Sequence, residues 1–323
     1  MAKPKVGFYW CASCGGCEEA VVDLAENILT VVEAVDIIFW PVALDFKRED
    51  IEKMSDTEID VVFINGAIRI GEQQEMVELL RKKSKLVVAF GSCAHLGGIP
   101  GLGNFWNKDS IFTRVYHEVP SLEEKNETIP LEEFSLNGHT LQLPEFFQTV
   151  HPLNQVIDVD YYLPGCPPTA ELVLNAVLAI LKGVLPPRGA VLSPNKSLCD
   201  ECDRNKTKPE KLLLKDIKRV QEVDLDPEEC FLAQGLICMG PATRSGCGYR
   251  CLTGNMPCTG CFGPTDGVID QGAKAISAIA SMIDYNNEKE IEKLTEKIVD
   301  PAGTFYRYSL PTSLLKRRSL SKL

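Results

Sequence analysis

Residues 1–185 predict an α/β domain around a parallel sheet, and residues 186–323 a loop-rich, cysteine-rich unit that ends in helices. Three observations carry this reading. Short β-branched and aromatic runs alternate with helical patterns through the first part. Pro186, Pro187 and Gly189 then break the rhythm. From there to Asp266 the chain loses long periodic segments while gaining Cys, Gly and Pro, so metal sites rather than a large apolar core are expected to hold it.

Taken in order, residues 6–10 read as a strand, 18–32 as a helix, and 36–42 and 61–65 as strands. Residues 72–83 follow as a helix and 86–90 as a strand. The apolar run 156–163 predicts the last strand, and 169–182 a helix with Thr169 as N-cap and Glu171 in its first turn. Between them, residues 116–152 are polar and Pro-bearing and read as a surface excursion. In the second part, residues 272–285 and 288–299 read as helices, before a solvated tail with Lys316, Arg317 and Arg318.

Thirty-four basic against forty-five acidic side chains give a formal charge of −11, which disfavours nucleic acids and anionic membranes as partners. The longest apolar stretches, such as residues 172–181, fall short of the ~20 residues of a membrane span. Met1 to Lys5 runs into a strand rather than a signal peptide. The expectation is a soluble, cytoplasmic protein. Thirteen cysteines in a reducing compartment then point to metal binding or thiol chemistry, not disulfides.

Cys14 and Cys17 follow the first strand, Cys93 the strand at 86–90, and Cys166 the strand at 156–163. In an open parallel sheet the carboxyl ends of strands share one edge, so cysteines distant in sequence can converge there. Four thiolates at one place make a four-iron cluster or a zinc site. Glycines at 15, 16, 91 and 165 permit close backbone approach, and the helices beginning near Glu18 and Thr169 would turn their N-termini to an anionic group. A thioredoxin-like pair at Cys14 and Cys17 is the rival, but it leaves Cys93 and Cys166 unexplained. Cys11 more simply packs in the sheet.

Eight further cysteines fall as C-x2-C-x27-C-x7-C, at Cys199, Cys202, Cys230 and Cys238, and as C-x3-C-x6-C-x2-C, at Cys247, Cys251, Cys258 and Cys261. Eight is two sets of four. Spacing alone leaves iron–sulfur clusters and structural zinc both open.

Cys-Gly-Gly-Cys-Glu-Glu at 14–19, Gly-Ser-Cys-Ala-His-Leu-Gly-Gly at 91–98, Pro-Gly-Cys-Pro-Pro at 164–168 and Pro-Cys-Thr-Gly-Cys-Phe-Gly-Pro at 257–264 together resemble the small subunit of nickel–iron hydrogenases. Lacking a twin-arginine leader, the chain most resembles the cytoplasmic F420-non-reducing, or methyl-viologen-reducing, branch that feeds a heterodisulfide reductase in methanogenesis. The resemblance implies that the α/β part, residues 1–185, is a flavodoxin-like domain, and it implies three [4Fe–4S] clusters: a proximal one on Cys14, Cys17, Cys93 and Cys166, a distal one on Cys199, Cys202, Cys230 and Cys238, and a medial one on Cys247, Cys251, Cys258 and Cys261. It implies a large subunit carrying the nickel–iron centre, and an iron–sulfur adaptor subunit with heterodisulfide reductase as electron acceptor. Cys199 stands where the periplasmic pattern has histidine, and Cys251 adds a fourth thiolate, so both outer clusters are expected to be all-cysteine. Glu19 aligns with an acidic residue discussed for proton transfer, though a carboxylate favoured at a helix N-terminus explains it as well. His95 is expected either to hydrogen-bond a cluster sulfur or to cap its loop. Two other functions remain: an electron-transfer subunit related to the cluster-bearing chain of respiratory complex I, and a zinc-stabilised assembly protein.

Overall fold

The computed structural model describes residues 3–122 and 128–315. In chain order come β1 (Lys5–Trp10), α1 (Gly16–Val22), α2 (Asn27–Ala34), β2 (Asp36–Phe39), α3 (Arg48–Glu52), β3 (Ile59–Asn65) and β4 (Ile68–Ile70). There follow α4 (Gly71–Lys83), β5 (Ser84–Phe90), α5 (Gly91–Leu96), α6 (Lys108–Thr113), β6 (Glu133–Leu136), β7 (His139–Gln142), β8 (Phe146–His151), β9 (Tyr161–Leu163) and α7 (Ala170–Leu181). Past these, α8 (Leu198–Glu201), α9 (Arg250–Thr253), α10 (Gln271–Ala280), α11 (Glu288–Thr295) and α12 (Pro301–Phe305) are joined by turns and short 3-10 segments. Among the described residues no helix is long and apolar enough to cross a membrane.

Five strands form one sheet in the order β2-β1-β3-β5-β9, every pair parallel. Counting only these five, the order is 2-1-3-4-5, the flavodoxin-like arrangement with its switch point between β1 and β3. Period-two alternation explains the layers. Val61, Phe63, Val88 and Phe90 face a core shared with α1, α2 and α7. Val62, Ile64, Val87 and Ala89 face Met76, Val77 and Leu80 of α4. With both faces covered, the strands read as continuous apolar runs.

Several local expectations are corrected. The single helix over 18–32 is two, α1 and α2, separated where Ala25 takes a left-handed φ of 50° and Leu24 turns into the core. The second strand stops at Phe39. Of the run 156–163 only Tyr161–Leu163 is strand. Leu153 and Ile157 are apolar because they fill the α4-side core, not because they pair. The excursion at 116–152 ends in β8, which pairs with β4 and buries Thr149 and Val150. Helices α10 and α11 stop short, at Ala280 and Thr295. Residues 316–318 lie outside the described residues.

Beyond Leu185 the chain first returns to the sheet: Tyr162 N–H donates to the Ala190 carbonyl and Leu192 N–H to that of Tyr162, at 3.1 and 2.8 Å. It then enters a third core that includes Leu198, Phe231, Leu236, Leu252, Ile279 and Leu310. Cys238 and Cys258 lie inside that core.

Candidate cluster-binding sites

Cys14 and Cys17 lie where β1 runs into α1, Cys93 inside α5 directly after β5, and Cys166 between β9 and α7. The sheet topology therefore brings all three segments to one edge. Ser92 N–H donates to the Gly165 carbonyl at 2.7 Å, tying the Cys93 segment to the Cys166 segment. The Cys166–Pro167 peptide is cis. A methyl group at Gly91 would stand 2.4 Å from Cys17 Sγ, and one at Gly98 would stand 2.4 Å from Cys93 Sγ. Both glycines have positive φ, 85° and 59°, and only a residue without Cβ lets the backbone approach the sulfurs so closely.

A buried polar network holds the first loop. Ser13 Oγ donates to Asn65 Oδ1 at 2.8 Å, Asn65 Nδ2 donates to Glu18 Oε1 at 2.5 Å, and Trp40 Nε1 donates to Glu18 Oε2. Glu18 is buried, and burial raises its carboxyl pKa against the lowering effect of those two donors. Glu19, the carboxylate singled out from the sequence, is exposed on α1. Glu18 was missed because adjacent glutamates at a helix start look alike; only the fold shows which one meets Trp40 and Asn65.

Burial raises the pKa of Cys17, and charge repulsion from Cys93, Cys166 and Cys14 raises it further. Cys93 is pushed up to about 12 by burial first and by Cys166 and Cys14 second. Mutually repelling buried thiols are the donor set that a bound cation deprotonates outright.

The eight later cysteines lie near one another, and Cys238 acts on Cys258 across the two spacings read from the sequence. Cys199, Cys202, Cys230 and Cys238 line one cavity of about 270 Å³. Burial, followed by the neighbouring thiols, raises Cys199, and Cys238 is pushed up to about 12. Arg204 stacks on Phe231 at 4.2 Å and donates to the carbonyls of Asp226, Glu229 and Leu252, holding the cavity wall. Cys247, Cys251, Cys258 and Cys261 form the other set, in which Cys261 senses both Cys247 and Cys251, and Cys258 senses Cys261.

This set lies between the other two. The Ser92 hydroxyl donates to the Cys261 carbonyl, and, beyond burial, Cys166 is close enough to raise the pKa of Cys261. On the other side, Cys258 N–H donates to Cys238 Sγ at 3.4 Å. Cys11 belongs to none of the sets; it is buried in the α4-side core. His95 caps no loop: it lies in α5 with its ring 4.7 Å from that of Tyr162, and its Nδ1 has no hydrogen-bond partner. Burial, and then the Arg244 charge, lower its pKa to about 3, so it is neutral.

The thiol-only donor sets supply the soft thiolate ligands that iron–sulfur clusters and structural zinc both take.

The model for the 20 kDa subunit of NADH–ubiquinone oxidoreductase matches residues 14–180. The chain is 39% identical to the iron–sulfur subunit of the F420-non-reducing hydrogenase of Archaeoglobus profundus over 317 residues, 97% of this chain and 98% of the relative. It is 41% identical to a subunit of the F420-non-reducing hydrogenase of Methanothermobacter marburgensis, covering 97% of this chain and 96% of the relative. In fold it is similar to the nickel–iron–selenium hydrogenase of Desulfovibrio vulgaris Hildenborough, with a TM-score of 0.53 at 17% identity over 83% of this chain and 95% of that one.

Proposed function

Because the chain belongs to the family of F420-non-reducing hydrogenase small subunits, we propose that it is a three-site electron relay, with Cys14, Cys17, Cys93 and Cys166 holding the proximal [4Fe–4S] cluster. Cys247, Cys251, Cys258 and Cys261 hold the medial cluster, and Cys199, Cys202, Cys230 and Cys238 the distal one. The protein is a subunit of a hydrogenase, an oxidoreductase whose nickel–iron site lies on the large subunit with which it pairs. The working units are residues 1–185 and 186–323, in a cytoplasmic complex. The acceptor is an iron–sulfur adaptor subunit that passes electrons to heterodisulfide reductase.

The single observation that supports this reading is the succession of contacts between the cysteine segments, the Ser92 hydroxyl on the Cys261 carbonyl at one junction and Cys258 N–H on Cys238 Sγ at the other. Bound clusters supply the one-electron chemistry. The chain's own residues supply thiolates, exclude water by burying Cys17, Cys93, Cys238 and Cys258, and aim backbone N–H groups at sulfur, which stabilises negative charge there. All-thiolate ligation favours a lower potential than sets that include histidine, which suits a relay working near the H2 couple. Glu19, exposed at the start of α1 beside the proximal loop, faces outward, where a proton-bearing role would involve the partner.

Relatedness to the complex I chain covers the first part only, residues 14–180, whereas the F420-non-reducing hydrogenase relatives align across the eight-cysteine region as well. The test is Cys258→Ser in the complex with the large subunit. H2/D2 exchange at the active site stays at the wild-type level while dye reduction falls. Both activities unchanged would show that Cys258 is not in the electron path.

A further inference from the structure

We propose that Tyr308 is a positioning residue that fixes the medial cysteine set against the proximal one, an inference that rests on the relay reading above.

The C-terminal strap passes between the two sets. It starts with α12, capped by Asp300 Oδ1 accepting from Gly303 N–H at 2.8 Å, and it is anchored in the third core by Phe305, Tyr306 and Leu310. Past the core, Pro311 lies against Gly97 and Gly101, where a methyl group would come within 2.3 and 2.6 Å of its ring, and its carbonyl accepts from Gln155 Nε2 at 3.1 Å. The strap closes with Leu314 N–H donating to Asp270 Oδ2 at 2.8 Å. It is therefore held on both sides of Tyr308, so that residue has a fixed place from which to act.

Tyr308 grips both cysteine loops. Its main-chain carbonyl accepts from Gly98 N–H at 3.0 Å, and Gly98 is the residue whose missing Cβ makes room for Cys93 Sγ. Its hydroxyl lies 3.2 Å from Thr259 Oγ1, inside the turn between Cys258 and Cys261. The same hydroxyl is near enough to feel the charges of both Cys261 and Cys166.

One side-chain bond crosses this junction at the Cys261 end of the turn, from Ser92 Oγ to the Cys261 carbonyl. At the Cys258 end the turn is tied away from the proximal set, by Cys258 N–H on Cys238 Sγ and Met239 N–H on the Cys258 carbonyl. The Tyr308–Thr259 bond adds a second point of attachment on the proximal side, so the spacing and orientation of the two sets become fixed. Tyr308 does not carry the electron: one electron leaves one group and enters the other, while the phenol keeps its proton throughout.

The test uses the purified complex with its large subunit, reduced, and reads the magnetic interaction between the proximal and medial clusters by EPR beside iron and sulfide content. Tyr308→Phe keeps the ring and deletes the hydroxyl. It retains the wild-type iron and sulfide content but loses the resolved wild-type splitting and shifts it to a broader, averaged signal. Thr259→Val does the same, Thr259→Ser restores the wild-type spectrum, and the Tyr308→Phe/Thr259→Val double variant is no worse than either single one, because all remove one shared bond. Unchanged splitting in Tyr308→Phe, or effects of the two single variants that add, overturns the role of Tyr308. A wild-type complex holding only about four irons per copy of this chain would instead overturn the relay reading itself, since no second cluster would exist to interact.

Discussion

Replacing Gly91 by alanine tests whether the proximal cradle is built by close backbone approach. The new methyl group would stand 2.4 Å from Cys17 Sγ and 3.4 Å from the Gly165 carbonyl oxygen, on a residue with φ of +85°. The left-handed backbone costs about 1–2 kcal/mol once a Cβ is present. Relieving the sulfur contact requires a retreat of about 1 Å to reach ordinary van der Waals distance, and overpacking of this kind costs about 1–3 kcal/mol. The combined loss is about 2–5 kcal/mol, focused on a cluster ligand. Gly138 provides the control: its φ is +77° and nothing lies within 4 Å of its added methyl group, so alanine there incurs only the backbone cost of about 1–2 kcal/mol. Denaturant unfolding and iron content per chain are the assays. Gly91→Ala should unfold at lower denaturant than Gly138→Ala and lose about four of its irons, the complement of one cluster. Equal midpoints and equal iron in the two variants would refute the close-approach argument.

Other substitutions separate residues that look alike in sequence. Glu18→Ala strands the buried Trp40 and Asn65 donors and should cost about 2–6 kcal/mol in denaturant unfolding, at roughly 1–3 per unsatisfied group; Glu19→Ala, being exposed, should stay within about 0.5 kcal/mol. Arg244 is 1% exposed and donates to the carbonyls of Pro264, Ser193 and Pro194 and to Asp266. Arg244→Ala leaves those carbonyls without their donor and should destabilise by about 1–3 kcal/mol per carbonyl left unsatisfied, and limited proteolysis should cut first in the 193–196 and 264–266 loops. Thr169 Oγ1 accepts from Leu172 N–H at 3.3 Å as the N-cap of α7, so Thr169→Ala should lower stability by about 1 kcal/mol.

What the sequence made legible follows from where its signals are local. The strand starting at Val6, the helix behind Thr169 and the convergence of Cys14, Cys17, Cys93 and Cys166 depend on short patterns plus the rule that parallel strands share an edge, and these could be read. The break between α1 and α2 could not. Residues 23–26 carry no Gly or Pro, and the left-handed turn at Ala25 is set by Leu24 entering the core. The run at 156–163 misled for a related reason: an apolar segment signals burial, and burial under α4 leaves the same signature as burial in a sheet. Helix α5 was hidden because Gly91 and Gly98 punctuate it as a loop would, yet both mark places where backbone meets sulfur. The choice between Glu18 and Glu19, the order of the three cysteine sets and the grip of Tyr308 all depend on contacts between segments far apart in sequence, to which periodicity is blind.

The central claim is that twelve cysteines hold three four-iron clusters, and metal analysis of the anaerobically purified native complex tests it most directly. Iron, acid-labile sulfide, zinc and nickel are measured per copy of this chain. Beyond the iron of the nickel–iron centre and the iron and sulfide of any co-purified adaptor subunit, the account predicts about twelve irons and about twelve sulfides, with nickel accompanying the large subunit and no stoichiometric zinc. About four irons with roughly two zincs would contradict it, leaving the eight C-terminal cysteines as structural zinc ligands and a relay that ends at its first cluster.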